Sequence, residues 1–585
     1  MVDRTGAQMI VESLRREGVD TVFGYPGGSV IPLFDALYDA KDIRLVLTRH
    51  EQAAVHAADG YARATGRVGV CIATSGPGAT NTVTGLATAR FDSVPLVCIT
   101  GQVPRSMIGN DAFQEADTIG ITQPVTKHNY LVLERKDLGR ILKQSFYLAA
   151  SGRPGPVVVD VPKDVFIERL DDEYPMTASI RGYRPAGEAA SGQAALLAEA
   201  LAKASRPLFF VGGGMVLAGA QKAFASILET TGVPLVTSLM GIGVVDSANP
   251  LNLGMIGMHG SIAANKALTA CDLLVGLGVR YDDRATGDTA RFAPDAKIVH
   301  VDIDPTSIGR NLRVDLPIVA DLKYFLEELG SLAKRMDISA WLGEVESFRA
   351  LGRRFADRAG KPAGEGAALP SARAILTTLS EVFPDAVFTT EVGQHQMWAA
   401  QYLPFSRPRR WLTSGGLGTM GYGFPAALGA QAGLPDDCVV VVAGDGSFQM
   451  NIQELATCVQ ENLPVIVVVM DNGYLGMVRQ WQEMFQQKRY SSTCLRYRKG
   501  CPPGCSSPGA QCPPYSPDFA SIARAYGADG YEVDTLEEFR EAATLARASR
   551  RPAVIDCHMA REENVWPMVA PGKGNDQMLY EGEPV

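Results

Sequence analysis

A glycine-flanked aspartate and an asparagine further along the chain are the residues whose types and spacing most directly suggest chemistry. The tripeptide Gly444-Asp445-Gly446 is followed, after the next apolar run, by Asn472. A carboxylate and an amide oxygen suit a hard divalent cation such as Mg²⁺, and the glycines let the backbone come close to an anion such as a diphosphate. The tripeptide alone fits an ordinary turn equally well, but the asparagine favours a metal site.

The elements around these residues predict how they meet. Residues 439–443 and 465–470 are apolar runs that predict two buried strands, and residues 448–460 predict a helix between them. In a parallel sheet both strands end at the same edge, where ligands bind in open α/β folds. The N-terminus of the predicted helix would favour an anion at that edge.

Alternating strand and helix patterns form three blocks in the 585 residues, at 5–169, 193–332 and 371–558. This alternation predicts an α/β fold of three doubly wound parallel-sheet domains. The predicted strands outside the site are 21–23, 44–47, 68–73, 94–99, 156–161, 207–211, 234–237, 273–276 and 298–301. We expect domains at 1–175, 190–345 and 370–560, linkers at 179–191 and 361–369, and a polar tail at 561–585 that is either disordered or folded over the site.

Composition narrows the class of protein and its location. A net charge of -9 argues against a nucleic-acid-binding surface. No charged-then-apolar stretch begins at Met1, and no apolar run reaches the roughly 18 residues that a spanning helix needs. We therefore expect no leader segment, no membrane insertion and a cytoplasmic location. Six scattered cysteines are expected to be reduced core residues, namely Cys71, Cys98, Cys271, Cys438, Cys458 and Cys557.

The spacing of Asp445 and Asn472 resembles the signature of thiamine diphosphate enzymes. The resemblance implies that Asp445, Asn472 and the backbone carbonyl of Tyr474 hold Mg²⁺, which holds the diphosphate of the cofactor. Thiamine chemistry also needs a carboxylic acid at the pyrimidine ring, and Glu51, where a strand gives way to an apolar helix, is the candidate. Burial is expected to raise the pKa of Glu51. Its position alone favours the alternative of a glutamate placed in a first helical turn by the helix dipole.

Motifs along nearly the whole chain resemble the large catalytic subunits of the acetohydroxyacid synthase (acetolactate synthase) family. They occupy residues 25–28, 75–81, 101–105, 111–115, 392–398 and 415–421. The resemblance implies that the first domain binds the cofactor's pyrimidine, the third its diphosphate, and the middle one FAD. Near the pyrimidine and the first substrate it places Gly28, Pro77, Asn81, Phe113, Gln114 and Lys163. Around the rest of the cofactor it places Val392, Gly393, Gln394, His395, Gly418, Met420, Gly444, Gly446, Ser447 and Leu475.

Three of these residues have ordinary alternatives. By composition alone, Phe113 would be a core residue and Gln114 a surface residue. Met420 separates the two rings of the cofactor in the resemblance, but methionine is also a common filler of hydrophobic cores.

The segment after Asn472 carries the motif that is most specific to the family. Met477 and Trp481 lie four residues apart on one face of a predicted amphipathic helix, which usually indicates core packing. The resemblance implies instead that they line the pocket for the second substrate, where Trp481 favours the ethyl group of 2-oxobutyrate over the methyl group of pyruvate. Arg284 would bind the carboxylate of that substrate, oriented by Asp283. A surface ion pair is the alternative for these two residues.

Further motifs match the flavin-containing members of the family. Each is weak alone because glycine turns after strands are common, and their order along the chain is what favours FAD. In this family the flavin does not pass electrons in the reaction. The matching residues are Arg153, Gly212, Gly213, Gly214, Thr237, Leu239, Met258, His259, Gly278, Arg280, Asp283, Asp302 and Ile303.

The resemblance implies an acetolactate synthase. Such an enzyme decarboxylates pyruvate and transfers the hydroxyethyl unit to pyruvate or 2-oxobutyrate, in the synthesis of valine, leucine and isoleucine. It also implies a homodimer or tetramer with active sites between protomers, and a small regulatory subunit as a possible partner. The alternatives are pyruvate oxidase, glyoxylate carboligase, a simple 2-oxoacid decarboxylase, and a non-catalytic nucleotide-binding regulatory protein.

An insertion of about twenty residues after Trp481 departs from the family pattern. It contains Cys494, Cys501, Cys505 and Cys512, without the paired C-x2-C spacing of ordinary zinc sites. A metal site, disulfides and free thiols all remain open for these cysteines.

Overall fold

The computed structural model describes residues 2–359, 369–495, 512 and 515–585. Within them the chain forms three six-stranded sheets and two small ones. It divides into two compact units, unit 1 (Met1–Arg184, Ala386–His395 and Leu412–Arg561) and unit 2 (Pro185–Asp385, Gln396–Trp411 and Glu562–Val585).

The N-terminal part of unit 1 contains a six-stranded parallel sheet. Its elements are β1 (Val2–Thr5), α1 (Gly6–Arg16), β2 (Thr21–Gly24), α2 (Ile31–Tyr38), β3 (Arg44–Leu47), α3 (Glu51–Thr65), β4 (Gly69–Ala73), α4 (Pro77–Asn81), α5 (Val83–Phe91), β5 (Leu96–Gln102), α6 (Thr118–Thr122), β6 (His128–Leu131), α7 (Leu138–Ala150), β7 (Pro156–Pro162), α8 (Lys163–Ile167) and β8 (Arg169–Asp172). The strand order is β3-β2-β4-β5-β7-β6, and β1 pairs separately with β8. All five strands predicted in this region are confirmed, because apolar runs buried on both faces suit a parallel sheet covered by helices.

The core of unit 2 is a second six-stranded parallel sheet. Its elements are α9 (Gln193–Lys203), β9 (Pro207–Val211), α10 (Gly213–Ala218), α11 (Gln221–Thr231), β10 (Leu235–Thr237), β11 (Asn252–Met255), α12 (Ile262–Ala270), β12 (Leu273–Leu277), α13 (Asp283–Thr286), β13 (Lys297–Asp302), β14 (Leu316–Val319), α14 (Leu322–Leu332) and α15 (Ser339–Ala359). The order is β11-β10-β9-β12-β13-β14. The four strands predicted here are also confirmed.

The third sheet is formed by the C-terminal part of the chain, in which residues 386–395 and 412–561 belong to unit 1 and residues 372–385 and 396–411 belong to unit 2. The elements of this region are α16 (Ala372–Val382), β15 (Val387–Thr390), α17 (Gln394–Tyr402), β16 (Trp411–Leu412), α18 (Gly423–Gly433), β17 (Val439–Gly444), α19 (Asp445–Phe448), α20 (Leu455–Glu461), β18 (Ile466–Asp471), α21 (Gly476–Phe485), α22 (Phe519–Tyr526), β19 (Asp529–Val533), α23 (Leu536–Ser549) and β20 (Ala553–His558). The order is β16-β15-β17-β18-β20-β19, so the two strands predicted around the site are neighbours.

The single helix predicted over 448–460 is wrong. The chain forms the short helix α19, a 3₁₀ turn at Ile452–Glu454 and then α20. The helix breaks at Asn451, whose backbone leaves the helical region and whose side-chain amide donates to the Gly421 carbonyl. That bond joins the segment to a distant loop, which no local pattern could indicate.

Helices α3 and α18 join the two sheets of unit 1 through a close contact of their backbones. A Cβ atom on Gly429 would lie 1.7 Å from the Ala57 carbonyl oxygen, and one on Gly60 would lie 2.0 Å from that of Ala426. Beside this contact the buried Tyr422 hydroxyl donates to Asp59 at 2.7 Å. The N-terminal and C-terminal sheets of unit 1 therefore share one hydrophobic core.

The C-terminal tail is folded, so the disordered alternative is wrong. It forms the antiparallel strands β21 (Met568–Val569), β22 (Met578–Tyr580) and β23 (Glu583–Pro584). Residues 562–585 of the tail belong to unit 2. There the Val569 amide donates to the Met258 carbonyl at 2.8 Å, and the Asn575 side chain donates to the Ala285 carbonyl at 2.9 Å.

Other expectations about the chain have simple outcomes. The linker predicted at 179–191 lies in an irregular segment between β8 and α9, whereas 361–368 lies outside the described residues.

The six scattered cysteines are confirmed as free thiols, five of them buried and Cys438 half-buried. Among the described residues, no helix combines the length and the apolar content needed to span a membrane.

Candidate active site

The carboxyl ends of β17 and β18 bring Asp445 and Asn472 to one edge of the third sheet. Gly444 pairs with Met470 in the parallel register, so both side chains follow their strands at the same level. Asp445 is 2% exposed, and its two carboxylate oxygens accept hydrogen bonds from the backbone amides of Gly446 and Gly473, each at 2.8 Å. This bonding fixes the direction of the carboxylate before any ligand arrives.

Asn472 is held by a network of amide side chains. Its Oδ1 accepts from the backbone amide of Tyr474 at 3.0 Å, and its Nδ2 donates to Gln394 Oε1 at 3.3 Å. Gln394 in turn donates to Gln480 Oε1 at 2.9 Å. Our sequence analysis missed Gln480, because a glutamine on an amphipathic helix is usually a surface residue.

Electrostatics at this edge favour a bound cation. Burial raises the pKa of Asp445 well above its ordinary value, and repulsion by the Asp471 carboxylate adds to that effect. A divalent cation would stabilise the ionised form of Asp445 and so oppose both effects. The donor set of carboxylate, amide oxygen and backbone carbonyl therefore fits Mg²⁺.

The glycines beside Asp445 leave space that a side chain would fill. A Cβ atom on Gly444 would lie 2.7 Å from His395 Nδ1, and one on Gly446 would lie 2.5 Å from Leu475 Cδ2. Ser447 is buried behind them. His395 and Leu475, both predicted cofactor residues, thus lie next to the edge of the sheet that carries Asp445.

Glu51 begins helix α3 and pairs with another predicted pyrimidine-binding residue. Its Oε2 accepts from Asn81 Nδ2 at 3.0 Å. Glu51 is half-buried rather than enclosed, and Pro77 nearby is exposed. Among the described residues, apart from the glycine and its chain neighbours, no atom lies within 4 Å of a Cβ built on Gly28, so the space beside that loop is open in this part of the chain. One face of this carboxyl group remains accessible to a ligand.

A buried glutamate that the sequence analysis missed supports the loop that carries Gly418 and Met420. Glu391 directly follows β15 and accepts from the backbone amides of Gly421 at 2.6 Å and Phe424 at 3.0 Å. Burial raises the pKa of Glu391 to about 7. Met420 is half-buried, as are Val392 and Gly393, so Met420 does not fill a closed core here.

Helix α21 buries polar residues and leaves apolar ones partly exposed. Arg479 and Gln480 are buried, whereas Met477 and Trp481 are half-buried. Met477 and Trp481 are therefore only partly enclosed by the described part of this chain. A large apolar side chain left accessible beside buried polar groups is typical of a binding pocket.

Three predicted substrate residues lie on the surface of this chain or near it. The Phe113 side chain is 87% exposed, so the core alternative for it is wrong. Gln114 is half-buried with a backbone φ of 62°. Lys163 is exposed at the start of α8.

Comparison with known proteins places the chain in one family. Three parts of the chain match the N-terminal TPP (thiamine pyrophosphate) binding domain, the central domain and the C-terminal TPP binding domain of thiamine pyrophosphate enzymes, at residues 4–121, 194–329 and 391–557. The acetolactate synthase large subunit of Corynebacterium glutamicum is 47% identical over 583 residues, covering 98% of this chain and 90% of that protein. The large subunit from Parasynechococcus marenigrum is 45% identical over 592 residues, covering 98% and 91%.

The chain belongs to the acetolactate synthase family. It is a thiamine-pyrophosphate-dependent enzyme with the three-domain α/β architecture of that family. Family membership also excludes the non-catalytic regulatory protein that was one alternative.

In unit 2, the residue predicted to bind the second substrate of an acetolactate synthase is accessible. The Arg284 and Asp283 side chains are 60% and 84% exposed, and their nearest charged atoms are 3.8 Å apart. This pair is too loose and too exposed to fix the guanidinium by itself. The Arg284 backbone is better held, because its carbonyl accepts from the Met258 amide at 2.9 Å.

The predicted flavin residues of the family include glycines that pack closely on neighbouring loops and side chains that are buried or half-buried. Gly212 and Gly214 pack on the backbone of Gly278, where added Cβ atoms would lie 2.3 Å and 2.7 Å from its nearest atoms. A Cβ atom on Gly213 would lie 3.1 Å from Met240 Cβ. The backbone carbonyl of Leu239 accepts a hydrogen bond from Trp411 Nε1 at 3.0 Å. Thr237 and Asp302 are buried, whereas Met258, Arg280 and Ile303 are half-buried.

His259 provides a more direct indication of a ligand in unit 2. It is buried, and its Nε2 has no hydrogen-bond partner in the part of the chain that the structure describes. Burial lowers the pKa of His259 to about 4, so the ring is neutral. An unsatisfied imidazole nitrogen fits a polar group of a bound flavin. Arg153 lies in unit 1, where it donates to Ser93 at 2.9 Å.

Proposed function

We propose that the chain catalyses the synthesis of 2-acetolactate from two molecules of pyruvate. It would form 2-aceto-2-hydroxybutyrate when 2-oxobutyrate is the second substrate. The observation that carries this proposal is the buried Asp445 beside Asn472 at one edge of the third sheet, in a chain of the acetolactate synthase family. These products belong to valine, leucine and isoleucine synthesis.

Mg²⁺ would be held by Asp445, Asn472 Oδ1 and the backbone carbonyl of Tyr474. When bound, thiamine diphosphate supplies the electron sink that allows loss of CO₂ from a 2-oxoacid. Glu51 would hold a proton on the pyrimidine ring, with Asn81 keeping its carboxyl group in place. Gln394 and Gln480 would keep the Asn472 amide turned toward the metal.

The second 2-oxoacid would be selected by residues outside the metal-binding edge. Met477 and Trp481 would contact its alkyl group, and Arg284 would bind its carboxylate as a planar two-pronged donor. Gly28, Phe113, Gln114 and Lys163 would enclose the first substrate. FAD would bind to the central domain with a structural role, near His259, Gly212 and Arg280.

The domain boundaries that we propose are 1–175 for the pyrimidine-binding domain, 190–345 for the FAD-binding domain and 370–560 for the diphosphate-binding domain, followed by the tail. We further propose a homodimer or tetramer in which Glu51 and Asp445 of one cofactor site belong to different protomers. The 87% exposure of Phe113 supports a partner chain that covers it. A small regulatory subunit is a possible further partner, and the cytoplasmic location stays a prediction.

The activity is tested by incubating the purified protein with pyruvate, thiamine diphosphate and Mg²⁺. We expect release of CO₂ and a product that acidification converts to acetoin. A simple decarboxylase would release acetaldehyde instead, and a pyruvate oxidase would consume oxygen. Absence of acetoin together with no retained thiamine diphosphate would reject the proposal. Denaturing the protein and finding no released flavin would reject the FAD site alone.

Shared active sites are tested by complementation. A Glu51→Gln chain and an Asp445→Ala chain are each expected to be inactive alone. Mixed protomers would restore roughly one intact site in each dimer, because each chain supplies the group that the other lacks. Co-expression with two different affinity tags isolates the mixed dimer. Mixed dimers as inactive as either parent would place both groups of a site on one chain.

A further inference from the structure

Five ionisable side chains face one side of the third sheet at the carboxyl ends of β18, β20 and β19. Asp471 is opposite His558 in the parallel register, and Glu532 is opposite Asp556. Because alternate residues of a strand share a face, Asp556 and His558 lie on one face, as do Glu532 and Asp534 just beyond β19. The sheet thus places four carboxylates around one imidazole.

Three of these groups are close enough to share a ligand. One carboxylate oxygen each of Asp471 and Asp556 and one ring nitrogen of His558 all lie within 4.8 Å of one another. A cation bound at about 2.1 Å to two such atoms holds them at most about 4.2 Å apart. Small side-chain adjustments would therefore be enough to close this triad around an ion.

A buried oxygen atom without a partner gives independent support for a ligand site at this cluster. Asp556 is 2% exposed, and its Oδ1 has no hydrogen-bond partner among the described residues. Its carboxylate does interact with the backbone amide of Phe519, at the start of α22. A buried carboxylate oxygen without a partner is costly, and a cation is the ligand that such an oxygen binds most strongly.

The other two members of the triad are held in place. Asp471 Oδ1 accepts from Ser516 Oγ at 3.0 Å and from the Gly473 amide at 2.9 Å. His558 Nδ1 lies 2.8 Å from Asp534 Oδ1, the carboxylate–imidazole contact that orients metal-binding histidines. The His558 side chain is 33% exposed, which leaves a route for an ion from solvent.

We propose that Asp471, Asp556 and His558 bind a second divalent cation, separate from the Mg²⁺ proposed at Asp445. Two carboxylates with one imidazole favour a first-row transition metal such as Mn²⁺ or Zn²⁺ over Mg²⁺, which prefers oxygen ligands alone. Glu532 is the nearest further ligand, since its carboxylate lies 3.9 Å from His558 Nε2. This site does not depend on the proposed reaction. It would cross-link β18 to β20 directly behind Asn472.

The test counts Mn²⁺ bound per chain by electron paramagnetic resonance, in the full-length protein saturated with thiamine diphosphate. Manganese is the suitable probe because the thiolates of the cysteine-rich insertion bind it weakly. We expect two ions per chain in the native protein, and one in Asp556→Asn and in His558→Gln. Asp436→Asn, which removes an exposed carboxylate elsewhere in the same domain, should keep two.

A spectroscopic signature separates the two sites. Spin-echo modulation from an imidazole nitrogen should accompany bound Mn²⁺ in the native protein, persist in Asp445→Ala and vanish in His558→Gln. A single ion with the nitrogen signal would support this site and contradict the metal proposed at Asp445. If the native protein bound Mn²⁺ in any number without the nitrogen signal, the proposal would be overturned. A nitrogen signal unchanged in His558→Gln would also overturn it. Because His558 is partly exposed, that variant should fold even if Asp556→Asn does not.

Discussion

Two turns of similar sequence follow parallel strands in this molecule, yet the structure uses their glycines differently. After β9 in unit 2, Gly212 and Gly214 lie against the backbone of Gly278. At the carboxyl end of β17 in unit 1, Gly444 and Gly446 lie against the side chains of His395 and Leu475. The first turn uses glycine so that two loops can pack together, whereas the second uses it beside a buried carboxylate.

The comparison shows that a glycine turn after a strand does not by itself identify a binding site. The turn in unit 1 becomes a candidate site because Asp445 is buried next to the negative charge of Asp471. A buried charge needs a compensating partner, whereas a tight backbone contact needs none. In unit 2 the corresponding indication comes from His259, which lies outside the glycine turn.

The most severe test removes the charge from the unit 1 turn. Asp445→Asn should reduce acetolactate formation by more than the roughly 10–100-fold that loss of an outer metal partner costs. It should also abolish Mg²⁺-dependent binding of thiamine diphosphate, measured by isothermal titration. The exposed Asp436→Asn is the matched control and should behave as the native protein. Tight cofactor binding by Asp445→Asn would remove the difference between the two turns.

A paired glycine substitution tests the two kinds of contact directly. Gly212→Ala should destabilise the protein by about 1–3 kcal/mol, because its Cβ meets a carbonyl oxygen that cannot move without shifting the backbone. Gly446→Ala should cost less, because its Cβ meets the end of the Leu475 side chain, which can rotate. Thermal unfolding measures stability, and the pyruvate assay measures activity.

We expect Gly446→Ala to lose more activity than stability, and Gly212→Ala the reverse. Equal losses of stability in both variants would contradict the distinction between backbone and side-chain contact.

A pocket residue beyond the unit 1 turn should affect selectivity rather than cofactor binding. Trp481→Leu should lower the preference for 2-oxobutyrate over pyruvate by roughly 10-fold, the effect of one methylene contact in an apolar pocket. Acetolactate formation from pyruvate alone should be largely retained. Competition between the two 2-oxoacids, with both products quantified, gives the ratio. An unchanged ratio would return Trp481 to a packing role.

The smallest expected effect is a change in the pH dependence of folding stability, caused by Glu391 beneath the loop that carries Met420. The pKa of Glu391 is raised from 4.5 to about 7, so the folded state favours its protonated form. The stability associated with that proton is fully present below about pH 4.5 and is lost as the pH rises through about 7. Unfolding midpoints of the native protein should therefore fall more across this window than those of Glu391→Gln. Parallel pH profiles would show that folding does not shift the pKa of Glu391.

Local patterns predicted the strands well and the site helices poorly. Every predicted strand is present because an apolar run with glycine-rich ends can satisfy its backbone in a buried parallel sheet. The helix predicted at 448–460 failed because Asn451 bonds to Gly421, thirty positions away in sequence. Helix α21 has the spacing of a core helix, but its packing against other elements buries Gln480 and leaves Trp481 partly accessible.

The sequence by itself determined the α/β class, eleven of the eighteen strands in the three parallel sheets, and the pairing of Asp445 with Asn472 at one edge. These features follow from short-range apolar periodicity and from the geometry of parallel strands. Only the tertiary structure decided which polar groups are buried without partners. It enclosed Glu391, placed Gln394 against Gln480, and gathered Asp471, Asp556 and His558 from strands distant in sequence. The physical reason is that burial and charge proximity depend on packing between elements, which no single segment contains.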